Sequence, residues 1–343
     1  MTVEKMQAYL WSLPDQFAEI LKQGVKLPPK YRREYRNIVV TGLGGSAIGG
    51  DILRTYCLSR ARIPVVVNRD YDMPGFVDSD SLVLAVSYSG NTEETLSAYQ
   101  QAVKQGAAVI AVTSGGKLAE MADNDEVAVV KVTGGLSPRA ATGYLFAPLA
   151  LILEELKIMQ GVSGDLEETI RVLLAVREGI HPGVASPDNQ ARRIAKELKG
   201  NLPIIWGSSA RSEIAAMRWK TQINENAKAP AYYNIFPELN HNEIVGMDVP
   251  APLMDRLVVI ILRDLGDHPR VQKRMQISMA IIQNKVKKVV QIDAQGESWL
   301  ARFYSLVYVG DYASFYLALE YGINPTPVET IDYLKAELAK GIN

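Results

Sequence analysis

A chain of 343 residues is long enough for two domains with sizeable cores. Its net charge of −1, without a basic block, argues against nucleic acid as a partner, and its single cysteine, Cys57, excludes a disulfide framework and suits a reducing cytoplasm. No apolar run approaches a membrane span and the N-terminus has no signal-peptide core; His181, His241 and His268 are scattered without metal-ligand spacing, so neither membrane nor metal is expected.

Residues 1–36 read as an N-terminal helical segment, with apolar positions at Leu10, Leu13, Phe17, Ile20 and Leu21. Short Val- and Ile-rich runs then alternate with helical stretches, at 37–41, 63–68, 82–87, 107–113 and 126–132. That pattern predicts buried parallel strands in a first doubly wound α/β domain over 37–155. Residues 156–200 read as a helical connector, in which Ile170, Leu173, Leu174, Val176 and Ile180 keep helical spacing before the proline-bearing stretch His181–Asp188. A second series of strands is expected at 203–207, 231–235, 257–262 and 288–292, forming a second α/β domain over 201–325. Its opening, Ile-Ile-Trp-Gly-Ser-Ser-Ala-Arg-Ser-Glu, echoes the Val-Val-Thr-Gly-Leu-Gly-Gly-Ser-Ala-Ile of the first, which suggests similar wiring and a cleft between the two. A last helix is expected at 328–339, within a C-terminal segment 326–343.

Two loops fall where such sheets bind ligands, beyond the carboxyl ends of the strands. The first runs from Thr41 to Asp51 and holds five glycines, Gly42, Gly44, Gly45, Gly49 and Gly50, which are expected to let the backbone approach a ligand closely. Gly42, Gly44 and Ala47 also fit the relaxed dinucleotide pattern G-x-G-x-x-A, although the next strand closes on Asn68 rather than on an acid, with Asp70 two residues on. The second loop reads Val-Ser-Tyr-Ser-Gly-Asn-Thr-Glu-Glu-Thr over Val86–Thr95. Ser87, Ser89 and Thr92 supply O–H donors, Gly90 permits close approach, and a following helix would aim its free N–H groups at the same spot. No Gly-Lys-Ser/Thr follows, so the expected guest is one phosphate on a small metabolite rather than a nucleotide. The plainer alternative is a helix N-cap at Ser89 or Thr92, with Glu93 and Glu94 complementing the dipole.

Further along, Ser-Pro-Arg at 137–139 places Arg139 where a guanidinium can reach the cleft, or simply sit on the surface after a turn. Glu225 stands between Asn224 and Asn226 at the end of a helical stretch, flanked by amides that could orient its carboxylate; an ordinary solvated glutamate is the alternative. His241, between Asn240 and Asn242 and near Glu238 and Glu243, reads either as exposed polar chemistry or as a capping loop histidine. Lys335, in the last helix, reads from its pattern as a solvated lysine.

Taken together, these stretches resemble the bifunctional phosphoglucose/phosphomannose isomerase family, within the sugar isomerase (SIS) group, over nearly the whole chain. The resemblance rests on Gly-Leu-Gly-Gly-Ser-Ala-Ile-Gly-Gly-Asp, Ser-Tyr-Ser-Gly-Asn-Thr-Glu-Glu-Thr, Ser-Pro-Arg, Asn-Glu-Asn-Ala-Lys, Pro-Glu-Leu-Asn-His-Asn-Glu and the Pro-Thr-Pro-Val…Leu-Lys tail. It implies that Ser87, Ser89 and Thr92 hold a sugar phosphate and that Gly45 and Ser46 contact the sugar. Arg139 would stabilise an enediolate, Glu225 would move the proton between C1 and C2, and His241 would help to open the ring. The resemblance also implies a homodimer in which the histidine comes from the neighbouring subunit. Lys335 matches the family's C-terminal lysine, with Lys340 close by. The implied activity converts glucose 6-phosphate, and mannose 6-phosphate too, to fructose 6-phosphate with no cofactor and no metal, since proton transfer beside a carbonyl needs a carboxylate base and a stabilised oxyanion. The rival readings are a non-catalytic SIS module that senses a sugar phosphate and an NAD-dependent dehydrogenase using the 41–51 loop.

Overall fold

The structure, a computed structural model, describes residues 2–338 and Lys340. Two helices, α1 (Val3–Trp11) and α2 (Leu13–Gln23), precede the first strand. The first sheet then builds up as β1 (Asn37–Thr41), α3 (Gly45–Cys57), β2 (Val65–Asn68), β3 (Ser81–Val86), α4 (Glu93–Lys104), β4 (Ala108–Thr113), α5 (Gly116–Asn124) and β5 (Ala128–Lys131). Helices α6 (Thr142–Glu155), α7 (Val162–Ile180) and α8 (Gln190–Leu198) lead to the second sheet. This comprises β6 (Leu202–Ser208), α9 (Glu213–Gln222), β7 (Tyr232–Phe236), α10 (Ala251–Met254), β8 (Leu257–Arg263), α11 (Pro269–Ile282) and β9 (Lys288–Asp293). The long helix α12 (Trp299–Glu320) and the final α13 (Glu329–Leu338) complete the chain; α13 starts one residue later than expected, and Ala339 lies outside the described residues.

Both sheets are parallel throughout, ordered β2-β1-β3-β4-β5 and β7-β6-β8-β9. In each, the first strand sits inside, so the chain winds one way and then the other, leaving a crevice beside the first strand's carboxyl end. Register places Val40 opposite Val67 and Leu84, and Ile205 opposite Tyr233 and Ile260. The strands alternate strictly by face. Val39, Val83, Ala85, Val109 and Ala111 pack with Ala98, Tyr99 and Leu118 of α4 and α5 on one side. Ile38, Val40, Leu82, Leu84 and Ile110 face the other way, into a core that also takes Ile205, Val258 and Ile260 of the second sheet. One continuous core therefore lies beneath both sheets.

Helix α12 fills much of that core. It is apolar on every side and is buried from Leu300 to Ala318 apart from Arg302, as expected of a central rather than a surface helix. Gly310 leaves room for the Trp219 indole, whose N–H donates to the Leu306 carbonyl at 2.9 Å. Among the described residues no helix is long and apolar enough to cross a membrane.

Candidate active site

The turn from β3 into α4 is built around two hydroxyls. Ser87 is fully buried, and its Oγ lies 2.9 Å from Oγ1 of Thr92. Thr92 occupies the N-cap position in an extended conformation, yet its hydroxyl makes no cap bond. The first-turn N–H groups of α4 thus receive nothing from that side chain, and the capping alternative is not the use this hydroxyl is put to. Glu93 and Glu94 do sit in the first turn, where they complement the helix dipole. The exposed Ser89 accepts the Asn91 N–H at 3.3 Å. Gly90, at φ 71°, is pressed against the Gly115 carbonyl and Thr113, so no side chain fits there.

Most glycines of the glycine-rich loop also pack closely against the chain itself. A Cβ on Gly42 would sit 2.8 Å from the Val86 carbonyl, on Gly45 2.7 Å from the Pro138 carbonyl, and on Gly50 2.8 Å from Val40 Cγ1; one on Gly49 would strike the Leu145 carbonyl. Gly45, Gly49 and Gly50 therefore let α3 lie close against the 138 turn, α6 and β1, and Gly42 lets the chain entering α3 pass the end of β3. Gly44 alone, exposed and with φ 54°, faces open space. This close packing is what brings the site together. Ser46 Oγ accepts the Tyr88 N–H at 3.3 Å, tying the start of α3 to the hydroxyl loop, while Gly45 abuts the turn that carries Arg139. At the end of β2, the Asn68 amide faces inward and donates to the Asp70 and Asp72 carbonyls, so no acid stands there for a ribose.

Arg139 is not a surface residue: only 6% of it is exposed. Its Nε donates to Asn226 Oδ1, and one terminal nitrogen donates to the carbonyls of both Pro325 and Thr326, each at 2.8 Å. The remaining nitrogen has no hydrogen bond among the described residues and lies 3.6 Å from the Glu225 carboxylate. Burial pulls the guanidinium below its usual pKa and Glu225 opposes that shift. It stays a cation at any working pH.

Glu225 stands on a π-helical turn, Ile223–Ala227, which continues α9, with its side chain about one-third exposed at 32%. Such turns interrupt the regular ladder and are common at functional sites. The flanking asparagines do not orient the carboxylate as expected. Asn226 spans Arg139 and Ser314 Oγ, and Asn224 donates to the Ala229 carbonyl at 2.8 Å. They hold the turn and the arginine instead. Deeper still, Arg218 donates to the Arg139 carbonyl at 2.8 Å while paired with Asp311 of α12 at 2.7 Å, both fully buried. Burial raises the Asp311 carboxyl, against the pull of Arg218. Asn226, Arg218 and Asp311 carried no motif signal beyond the Asn-Glu-Asn run, because their roles depend on contacts far apart in the chain.

A cavity of about 720 Å³ opens beside Glu225, walled by Lys228, Pro230, Ile323, Pro327 and the start of α13. Its volume suits a small ligand. His241 is elsewhere. It ends the short helix Glu238–His241 beyond β7, exposed and with no hydrogen-bond or ion-pair partner among the described residues. Its neighbouring amides pin the loop, Asn240 to Ser278 at 2.9 Å and Asn242 to Glu238 at 3.0 Å. Lys335 is exposed on α13, and Lys340 pairs with Glu337 at 2.6 Å. In the second sheet, the turn echoing the first loop spends its hydroxyls internally. Ser208 donates to the buried Asp267 and Ser212 to the Leu262 carbonyl. Among the described residues no group of three or more His, Cys, Asp or Glu side chains is placed to hold a metal ion.

Two doubly wound parallel sheets, one bearing a hydroxyl-lined turn at a helix start, define an SIS-type phosphosugar protein, and residues 33–130 match the SIS domain family. Residues 187–338 match the bacterial phospho-glucose isomerase C-terminal SIS domain. A putative phosphosugar isomerase from Clostridium difficile 630 shares the fold at a TM-score of 0.71 and 18% identity, covering 95% of each chain. The bifunctional phosphoglucose/phosphomannose isomerase of Caldicellulosiruptor bescii is 47% identical over 96% of this chain and 98% of its own. That of Aquifex aeolicus is 36% identical over 89% and 91%. The chain belongs to the bifunctional phosphoglucose/phosphomannose isomerase family.

Proposed function

We propose that this protein is an aldose–ketose isomerase that interconverts glucose 6-phosphate and mannose 6-phosphate with fructose 6-phosphate through a cis-enediol. The observation that carries the reading is a carboxylate facing, at 3.6 Å, the one open nitrogen of a buried guanidinium whose other two nitrogens are anchored, on a scaffold continuous with a hydroxyl-lined anion turn. Ser87, Ser89, Thr92 and the α4 N-terminus would hold the phosphate, and Gly45 and Ser46 would border the sugar. Glu225 would take the C2 proton of the open-chain aldose and return it to C1. The pair of the broken C2–H bond forms the C1=C2 bond, and the carbonyl π pair moves onto O1, where the free nitrogen of Arg139 meets the developing charge. The O2 proton passes to O1 as C1 is protonated and C2 becomes the carbonyl. Nothing in this proton transfer calls for a redox group. A non-catalytic sensor would have no use for a carboxylate held against such an arginine.

His241 would assist ring opening from the partner of a homodimer, since an imidazole can both give and accept a proton near neutral pH. Two features support the dimer. His241 is exposed and has no side-chain partner among the described residues of its own chain, and exposed apolar side chains are frequent on β7 and the elements that follow it. Tyr232 and Tyr233 lie on the edge strand β7, and Val245, Val249, Leu253, Ile277 and Ile281 follow on the loops and helices beside it. A free, buried Cys57 suits the cytoplasm. The test is a coupled assay for fructose 6-phosphate formation run with EDTA; absence of turnover with either aldose phosphate would defeat the reading.

A further inference from the structure

Lys228 takes no part in the reaction as set out above, yet it joins the two segments on which the reaction depends. It ends the π-helical turn in a left-handed conformation, φ 54°, which lysine rarely adopts. Its ammonium has three N–H donors, and three carbonyls meet it: Glu225 at 2.6 Å, Pro327 at 2.7 Å and Pro325 at 3.4 Å. A lysine closing a helix commonly bonds the last carbonyls of that helix. Here only the Glu225 contact is of that kind. The other two cross to a strap nearly a hundred residues away in sequence.

The strap is stiff and well anchored. Pro325 and Pro327 fix their own φ angles, and each restricts the residue before it. Thr326 is 1% exposed and donates its hydroxyl to the Thr2 carbonyl at 2.9 Å. Arg139 ends on the same strap, at the Pro325 and Thr326 carbonyls. Both cations of the site therefore converge on the Pro325 carbonyl, one from the side of the base and one from the side of the oxyanion. Burial and the nearby Arg139 lower the Lys228 pKa, and Glu225 opposes them.

We propose that Lys228 is a positioning residue for the isomerisation. It fixes the main chain of Glu225 against the strap that also holds Arg139, and so sets the spacing between carboxylate and guanidinium. The inference rests on the isomerase reading. The test uses the full-length protein with Lys228→Met, Lys228→Gln and Lys228→Arg, measuring kcat by the coupled assay and glucose 6-phosphate affinity by calorimetry. A fourth variant, Thr326→Gly, keeps the strap carbonyl and leaves Lys228 intact but loosens the strap.

Because a misplacement of about 1 Å can cost about 100-fold in rate, Met and Gln should lose about 10- to 100-fold in kcat. Affinity should stay within about twofold, because the phosphate turn is built from other segments. Arg, which restores donors to the carbonyls, should recover most of the lost rate, and Thr326→Gly should show the same split between rate and affinity. An unchanged kcat in Met and Gln, an equal loss of rate and affinity, or an Arg variant as poor as Met would each overturn the proposal. Wild-type protein with no turnover would defeat the isomerase reading instead.

Discussion

Removing the Ser87 hydroxyl tests the phosphate turn with a magnitude that follows from its geometry. In the free protein, Ser87 and Thr92 share one hydrogen bond at 2.9 Å, so one hydroxyl proton is engaged and the other is available. When a phosphate arrives, both hydroxyls can turn their protons onto anionic oxygens, exchanging one neutral bond for two charge-assisted ones. A neutral bond contributes about 1 kcal/mol and a charged one about 1.5–3 kcal/mol. Ser87→Ala should therefore cost about 1 kcal/mol of stability in the free protein and, because that bond is no longer given up when the phosphate binds, weaken glucose 6-phosphate binding by the difference, about 0.5–2 kcal/mol or about 2- to 30-fold. Thr92→Ala should behave alike, and because the two hydroxyls are partners the double variant should not be additive. Calorimetric titration of the wild type and three variants with glucose 6-phosphate, with neutral glucose as the comparator, measures all of this. A Ser87→Ala affinity equal to that of the wild type would refute the reasoning, as would glucose binding as tightly as its phosphate.

Other consequences are equally direct. Arg139→Lys cannot span Asn226 and two strap carbonyls at once, so kcat should fall by about 10²–10³; a rate near wild type would remove Arg139 from oxyanion stabilisation. Asp311→Asn leaves Arg218 as a buried, unpaired charge and should lower unfolding stability by about 3–5 kcal/mol in urea; a loss below about 1 kcal/mol would contradict the buried pair. Mixing Glu225→Gln with His241→Ala chains should restore part of the activity after subunit exchange, because one site of the mixed dimer holds both intact residues. No recovery despite proven exchange would place the whole site in one chain. Burial pushes the Cys57 thiol up to about 12, so iodoacetamide at pH 8 should react only as fast as the protein unfolds, and rapid alkylation of native protein would contradict that burial.

The strands were legible because buried parallel strands are written as unbroken Val and Ile runs, and each of the nine appears within two residues of its expected bounds. The hydroxyl turn was legible for a similar reason, since its donors are contiguous in sequence. The packing role of the glycines of the first loop was not legible. Composition shows that side chains are absent but not what fills the space, and here Gly42 passes close to the Val86 carbonyl while α3 packs against the Pro138 and Leu145 carbonyls. The asparagines beside Glu225 were assigned the wrong partner. Adjacency along the chain places Asn226 next to the carboxylate, whereas the π-helical turn directs its amide to Arg139 and Ser314. Lys228, Arg218 and Asp311 act through partners about 80–100 residues distant, and no local pattern encodes such contacts.

The measurement that bears most directly on the central claim is fructose 6-phosphate formation from glucose 6-phosphate and from mannose 6-phosphate by one purified preparation, before and after Glu225→Gln. The two aldoses differ only at C2, which becomes planar in the shared enediol, so a site that anchors the phosphate far from C2 should accept both. One carboxylate base for both predicts two activities that fall together by about 10²–10⁴ or more in the variant, while glucose 6-phosphate still binds. Mannose 6-phosphate turnover that is absent, or that survives the loss of the Glu225 carboxylate, would contradict the account.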